Sequence, residues 1–135
     1  MKEFELEIVT PAKVCYTGKV QTVTVPGTAG EFQVLLNHAP LLSTFEIGII
    51  KVSENPDAPN LTFATSGGTI DVIQNKVLIL ASSAEKPEDI DVARAENSAE
   101  RARARLRESA KEIDLIRAEA SLQRALNRLK VSKGF

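Results

Sequence analysis

The sequence predicts an α+β protein, with an N-terminal antiparallel β-sandwich over residues 1–84 followed by a C-terminal α-helical hairpin over residues 85–135. Three observations lead there. Six of the seven glycines and five of the six prolines precede residue 69, and neither type occurs between Glu88 and Lys133. Near Ser82 to Pro87 the apolar pattern changes from a period of two to alternating steps of three and four. Charge density changes at the same place: residues 1–84 carry 13 charged side chains and the last 51 carry 22. A chain of 135 residues is long enough for one good core with a modest appendage.

The strands are legible in order. Phe4, Leu6 and Ile8 alternate with Glu3, Glu5 and Glu7, and Gln21, Val23 and Val25 alternate with Thr22 and Thr24, as half-buried strands do. Short β-rich runs follow at residues 32–36, 47–52, 61–65, 69–73 and 77–80. Turn chemistry separates them: Pro26-Gly27, Asn37, Asn55-Pro56-Asp57, Ser66-Gly67-Gly68, and Gln74-Asn75 as a tight hairpin. About nine short strands joined by connections too short for crossover helices imply a sandwich or flattened barrel.

Beyond the boundary, Val92, Ala95, Ala99, Ala102 and Leu106 form one helical seam, and Leu115, Ala118, Leu122, Ala125 and Leu129 form another. Small seam residues let two helices approach closely, so an antiparallel hairpin is expected. Pro87 suits a helix start, with Glu88, Asp89 and Asp91 near the positive dipole end. Ser109 with Glu112 fits a capping box, which puts the turn near residues 108–113. That turn holds no Gly or Pro, so residues 88–132 would tolerate one continuous helix of roughly 68 Å at 1.5 Å per residue.

Composition excludes several chemistries. One Cys (Cys15) forms no internal disulfide, and one His with one Cys supplies no ordinary zinc site. His38, in the turn Asn37-His38-Ala39-Pro40, has no Ser or Cys arrangement suited to nucleophilic catalysis around it in sequence. Pro26-Gly27-Thr28-Ala29-Gly30 lacks a following Lys-Ser/Thr and precedes a strand, unlike a phosphate-binding loop. The acidic, alternating start and the lack of an 18-residue apolar run predict a cytoplasmic protein, or one attached to a membrane only through a partner. The net charge of −1 averages a sandwich of −3, a helix start of −4 over residues 85–100 and a basic stretch of +6 over residues 101–133. That stretch would suit an acidic protein surface or nucleic-acid phosphates, although no aromatic residue is interleaved with its arginines. Arg94 and Arg101 share one face of the first helix, and Arg117, Arg124 and Arg128 share one of the second. Such stripes serve equally as solvated faces or as a phosphate cluster.

Taken together, several short motifs carry a family resemblance. They are Ile8-Val9-Thr10-Pro11, Val25-Pro26-Gly27 with Gly30-Glu31, His38-Ala39-Pro40-Leu41, Ser66-Gly67-Gly68, residues 88–95 and Ala125-Leu126-Asn127-Arg128-Leu129. In this order and spacing, the chain resembles the ε subunit of bacterial F-type ATP synthase along its whole length. The resemblance implies a sandwich of about ten strands that clamps the γ subunit and rests on the c-ring. It also implies C-terminal helices that permit turnover when folded and block ATP hydrolysis when extended along γ toward the α and β subunits. The chain would be a non-catalytic rotor subunit, peripheral on the cytoplasmic face of the membrane, without a required cofactor and without nucleic acid as a partner.

Some members bind ATP as a regulatory ligand through Ile/Leu-Asp-x-x-Arg-Ala. Residues Ile90-Asp91-Val92-Ala93-Arg94-Ala95 match that form, and Glu85, Arg101, Arg124 and Arg128 match its supporting positions. By the same carry-over, Glu31 matches the loop facing the c-ring and His38 lies in the turn near the γ and c-ring contacts. The chain departs from the common Gly-Ile-x-Pro-Gly-His run, having Gln33-Val34-Leu35-Leu36-Asn37-His38, where Asn37 would adopt the left-handed turn conformation. Two other classes stay open on the residues: a free-standing ATP-sensing module, and an enzyme built on the sandwich.

Overall fold

The computed structural model describes residues 2–134, which divide into two compact units on either side of the Lys86–Pro87 bond. In the first unit the alternation of the sequence becomes alternation of burial. Phe4, Leu6 and Ile8 of β1 (Phe4–Val9) point inward, while Glu5 and Glu7 point to solvent. After a turn closed by the Thr10 N–H donating to the Lys13 carbonyl at 2.9 Å, β2 (Val14–Val20) runs back beside β1. β3 (Thr22–Gly27) and β4 (Gly30–Val34) form a hairpin, and β5 (Leu41–Ser53) pairs with β6 (Leu61–Ile73) from Leu41↔Val72 to Val52↔Leu61. β7 (Lys76–Ala81) returns along β6 through Gln74 and Asn75, whose φ angles of 47° and 62° are those of a two-residue hairpin turn. The two-residue β8 (Ala84–Glu85) pairs with β6 at Ala64 and Thr65.

The hydrogen-bonded order is β2-β1-β7-β6-β5-β3-β4, with β8 on β6. Tyr16 of β2 nevertheless meets Phe63 of β6 edge to face, with centroids 6.2 Å apart, although β1 and β7 separate their strands in that order. The sheet is therefore doubled over, and its inner faces share one core. Phe63, Leu6, Ile8, Ile50, Ile70 and Ile79 are its largest fully buried side chains. Each such aliphatic or aromatic burial is worth about 1.5–3 kcal/mol, and this holds the layers together.

Three features depart from expectation. The β1–β7 pairing is parallel, the exception in an otherwise antiparallel sheet. It joins strands from opposite ends of the domain, so no local connection announces it. The described residues form eight strands because β5 and β6 each continue for 13 residues. Ser66-Gly67-Gly68, expected as a turn, lies inside β6. There Gly67 takes φ 109°, and a Cβ on Gly68 would lie 2.0 Å from the Leu80 carbonyl oxygen. The glycines permit a close strand approach where the sequence suggests a reversal.

The second unit opens with a 3₁₀ turn (Pro87–Asp89), followed by α1 (Val92–Glu108) and α2 (Glu112–Ser132) packed as a hairpin. Ala95, Ala99 and Ala102 of α1 and Ala118 and Ala125 of α2 are buried. Val92, expected in the first seam, is instead exposed as the first residue of α1. The capping box does not form. Ser109 is the C-cap of α1, and its Oγ accepts from the Lys111 N–H at 3.3 Å; Lys111 is the N-cap of α2 and makes no side-chain cap bond. Ser109 and Lys111 are both extended (ψ 137° and 126°), so the helices break here without Gly or Pro.

Candidate functional site

Inward packing of one sheet face leaves the other available. On β7, Val77, Ile79 and Ala81 are buried while Lys76, Leu78 and Leu80 face out. Cross-strand register then assembles that outer face row by row. Leu42, Asp71, Leu78 and Glu7 form one row, and Thr44, Thr69, Leu80 and Val9 form the next. Leu42 is 75% exposed and Leu80 49%, and Val14 of β2, paired with Val9, is also exposed. Glu5, Lys76 and Lys19 make a charged margin, with Lys76 Nζ 4.0 Å from Glu5 Oε2, around a shallow depression of about 730 Å³. Exposed apolar side chains spread among charged ones on a sheet face mark a surface suited to a protein partner.

The two residues expected at subunit contacts lie in neighbouring parts of the chain. Glu31, exposed, is the second residue of β4 and pairs with Pro26 in the β3–β4 hairpin. His38 follows β4 in a turn where its N–H donates to the Leu35 carbonyl at 3.2 Å and its Nδ1 lies 2.7 Å from the Ala39 carbonyl oxygen. Asn37 adopts φ 64°, the left-handed conformation expected of it. Its N–H donates to Asn75 Oδ1 at 2.6 Å, and Asn75 Nδ2 donates to Asn37 Oδ1 at 3.0 Å.

The residues of the nucleotide motif are distributed over both units. Glu85 belongs to the first, half-buried in β8 opposite Ala64. Ile90 and Asp91 join the 3₁₀ turn to α1; Ile90 is buried, with its N–H on the Pro87 carbonyl at 3.3 Å. Asp91 is the N-cap, and its Oδ1 accepts from the Arg94 N–H at 3.0 Å. The Asp-x-x-Arg spacing thus has a local structural use in starting the helix. Arg94 is exposed, Arg101 donates to Ser98 Oγ at 3.2 Å and Arg124 donates to Ser121 Oγ at 3.2 Å.

The buried alanines give the hairpin its register, since Ala95 and Ala125 lie equally far from Ala110 along the chain, as do Ala102 and Ala118. Arg94, Arg124 and Arg128 consequently occupy the same end of the hairpin, the end where α2 also packs on the 3₁₀ turn. Arg101 lies about two turns nearer the connection.

Both units match known family models. Residues 3–87 match the β-sandwich domain of the ATP synthase delta/epsilon chain, and residues 88–133 match its long α-helix domain. The chain belongs to the ATP synthase delta/epsilon chain family. It is 44% identical over 105 residues to an ATP synthase epsilon chain of Pelotomaculum thermopropionicum, covering 78% of this chain and 77% of the relative. It is 43% identical over 113 residues to that of Salinibacter ruber, covering 78% and 76%. In fold it is similar to a chain of the Euglena gracilis mitochondrial ATP synthase OSCP/F1/c-ring structure, with a TM-score of 0.78, 24% identity and coverage of 91% of this chain and 77% of that one. A chain of the Tetrahymena thermophila mitochondrial ATP synthase central stalk/c-ring structure gives a TM-score of 0.68 at 14% identity, covering 95% of each.

For this delta/epsilon-family chain, the outer apolar face is the feature sequence reasoning passed over. Its signal is nonetheless present. Val77-Leu78-Ile79-Leu80 is apolar at every position, and in a sheet an uninterrupted apolar run means that both faces are suited to being covered. No helix among the described residues is long and apolar enough to cross a membrane.

Proposed function

We propose that this chain is the central-stalk ε subunit of a bacterial F-type ATP synthase. The sandwich would join the γ subunit to the c-ring, and the hairpin would regulate ATP hydrolysis by the α and β subunits. The outer face of the sandwich carries this reading, because it leaves Leu42, Leu78, Leu80 and Val14 exposed on strands β5, β7 and β2, apolar surface that a structural subunit would cover by binding. Its attachment to the membrane would run through the complex. The protein has no catalytic step of its own in this reading, since rotation transmits work between sites held by its partners.

Regulation is supported by a seam built of small side chains: Ala95, Ala99, Ala102, Ala118 and Ala125 are buried in it, while Leu106, Leu115, Leu122 and Leu129 stay half-buried. Taking a two-state hairpin from 1:99 to 99:1 requires a ligand preference of about 5.5 kcal/mol. ATP bound by Asp91, Arg94, Arg124 and Arg128, with Arg101 in support, would favour the closed hairpin by drawing cations of both helices onto one polyphosphate. The extended form would present the basic helices to the α and β subunits.

Deleting residues 88–135 tests the division of labour. The expected result is retained association with γ and higher ATPase activity of the assembled complex; loss of γ binding on truncation overturns it. The clustering of Arg94, Arg124 and Arg128 at one hairpin end also favours a second reading, an ATP-sensing module able to act by itself. Calorimetry of the full chain with ATP addresses that, since binding unchanged by Arg94→Ala and by Arg124→Ala excludes the site.

A further inference from the structure

We propose that Asn75 is a positioning residue that latches the Asn37–His38 loop in the conformation required for partner binding. The proposal rests on the proposed rotor role and on the expectation, from the family resemblance, that His38 lies in the turn near the γ and c-ring contacts. Asn75 sits at a junction of three segments. Its backbone, with Gln74, makes the left-handed turn between β6 and β7; its carbonyl accepts the Glu5 N–H of β1 at 3.0 Å; its side chain makes both hydrogen bonds to Asn37. The geometry is reciprocal, with each residue donating once and accepting once. Asn37, Gln74 and Asn75 are the non-glycine residues with positive φ among the described residues, and two of the three face one another in this clasp.

The arrangement matters because, between Leu36 and Leu41, which pack against the core, the turn has few other bonds to fix it. Asn37 is exposed, and His38 is held by a turn bond of 3.2 Å and a contact with the adjacent Ala39 carbonyl. A left-handed Asn is tolerated but is not the preferred state of a free chain, so without the clasp residue 37 would sample other conformations and carry His38 with it. Holding it in place beforehand removes an ordering cost from binding. A hairpin turn 38 positions away in sequence thereby sets the shape of the candidate contact loop.

Asn75→Gly tests this in the full chain, because Gly keeps the left-handed turn while deleting the side chain. Amide hydrogen exchange is expected to accelerate about tenfold at Asn37, with Val72 and Ile79 unchanged. Affinity for the γ subunit is expected to fall several-fold. Asn75→Asp should restore much of both, since its carboxylate accepts the Asn37 N–H and the Asn37 amide can turn to donate. Unchanged exchange at Asn37 in Asn75→Gly overturns the proposal. So does full γ affinity in Asn75→Gly when His38→Ala weakens binding, an outcome that leaves the rotor reading intact. If His38→Ala also binds γ normally, the loop is not a contact, and the proposal falls together with that part of the reading.

Discussion

The Tyr16 hydroxyl donates to Glu54 Oε2 at 2.7 Å, tying edge strand β2 to the end of β5 across the doubled sheet. The same ring packs edge to face on Phe63. Tyr16 thus couples the closure of the core to a polar bond at its margin.

Burial, the hydrogen bond to Glu54 and the charge of Glu54 together push the Tyr16 phenol well above its ordinary value. The sign of the stability effect follows. An unfolded tyrosine ionises near pH 10, whereas the folded one keeps its proton beyond that point. Stability from this residue is complete below about pH 10 and falls as pH rises above it, because there the unfolded state binds fewer protons. Urea midpoints across pH 8–11 should decline less steeply at the top of the range for Tyr16→Phe than for the native chain. Near neutral pH the substitution should cost about 0.5–1 kcal/mol for the exposed bond.

Gly68→Ala should be far worse than Gly30→Ala. At Gly68 the new Cβ would stand 2.0 Å from the Leu80 carbonyl oxygen and 2.8 Å from Ala81 Cα, both backbone atoms that shift only by separating β6 from β7. At Gly30 the added atom meets nothing within 4 Å, and the strain is that of φ 129° alone. Denaturation midpoints should show a loss of about 3 kcal/mol or outright failure to fold for the first, and about 1–2 kcal/mol for the second. Equal losses would mean that β6 and β7 adjust freely at this crossing.

What could be read from the sequence was what local pattern controls. The alternation at Phe4, Leu6 and Ile8 and the alanine seams reappear as buried faces, because period and burial share one cause. Asn37 was readable as left-handed from its residue type. Pairings set by the whole domain were not: the parallel β1–β7 ladder, the Tyr16–Glu54 bond and the Asn37–Asn75 clasp join residues that no short motif connects. Gly67-Gly68 misled because the same conformational freedom serves a turn or a close strand crossing. The arginine stripes were visible as stripes, but which members share one end of the hairpin depends on the register that the alanines impose.

Ala125→Leu should open the hairpin and leave the sandwich intact. Ala125 is fully buried in the seam, and adding three carbons between closely packed helices costs about 1–3 kcal/mol. Hydrogen exchange in α1 and α2 should accelerate, while fluorescence of Tyr16, the single tyrosine in a chain without tryptophan, should report an unchanged sandwich. A matching loss of Tyr16 signal would show that the two units unfold as one.

Lys111→Asp should favour the hairpin more strongly than Lys111→Ala. Lys111 occupies the N-cap of α2 with extended backbone and no side-chain cap bond, and it places a cation at the positive end of the helix. Asp supplies both the missing acceptor and the favourable charge, worth about 1 kcal/mol or more. In a single continuous helix the same Asp would sit mid-helix, where its propensity is poorer than that of Lys by several tenths of a kcal/mol. The hairpin is therefore favoured from both sides, by about 1–2 kcal/mol, or roughly 5- to 30-fold in population. Lys111→Ala relieves the unfavourable charge without adding a cap, and its better mid-helix propensity offsets that gain, so it moves the hairpin little. In the assembled complex, the proposed regulation requires higher ATPase activity for Lys111→Asp than for Lys111→Ala. Equal activity in the two variants would separate the hairpin's conformation from control of hydrolysis.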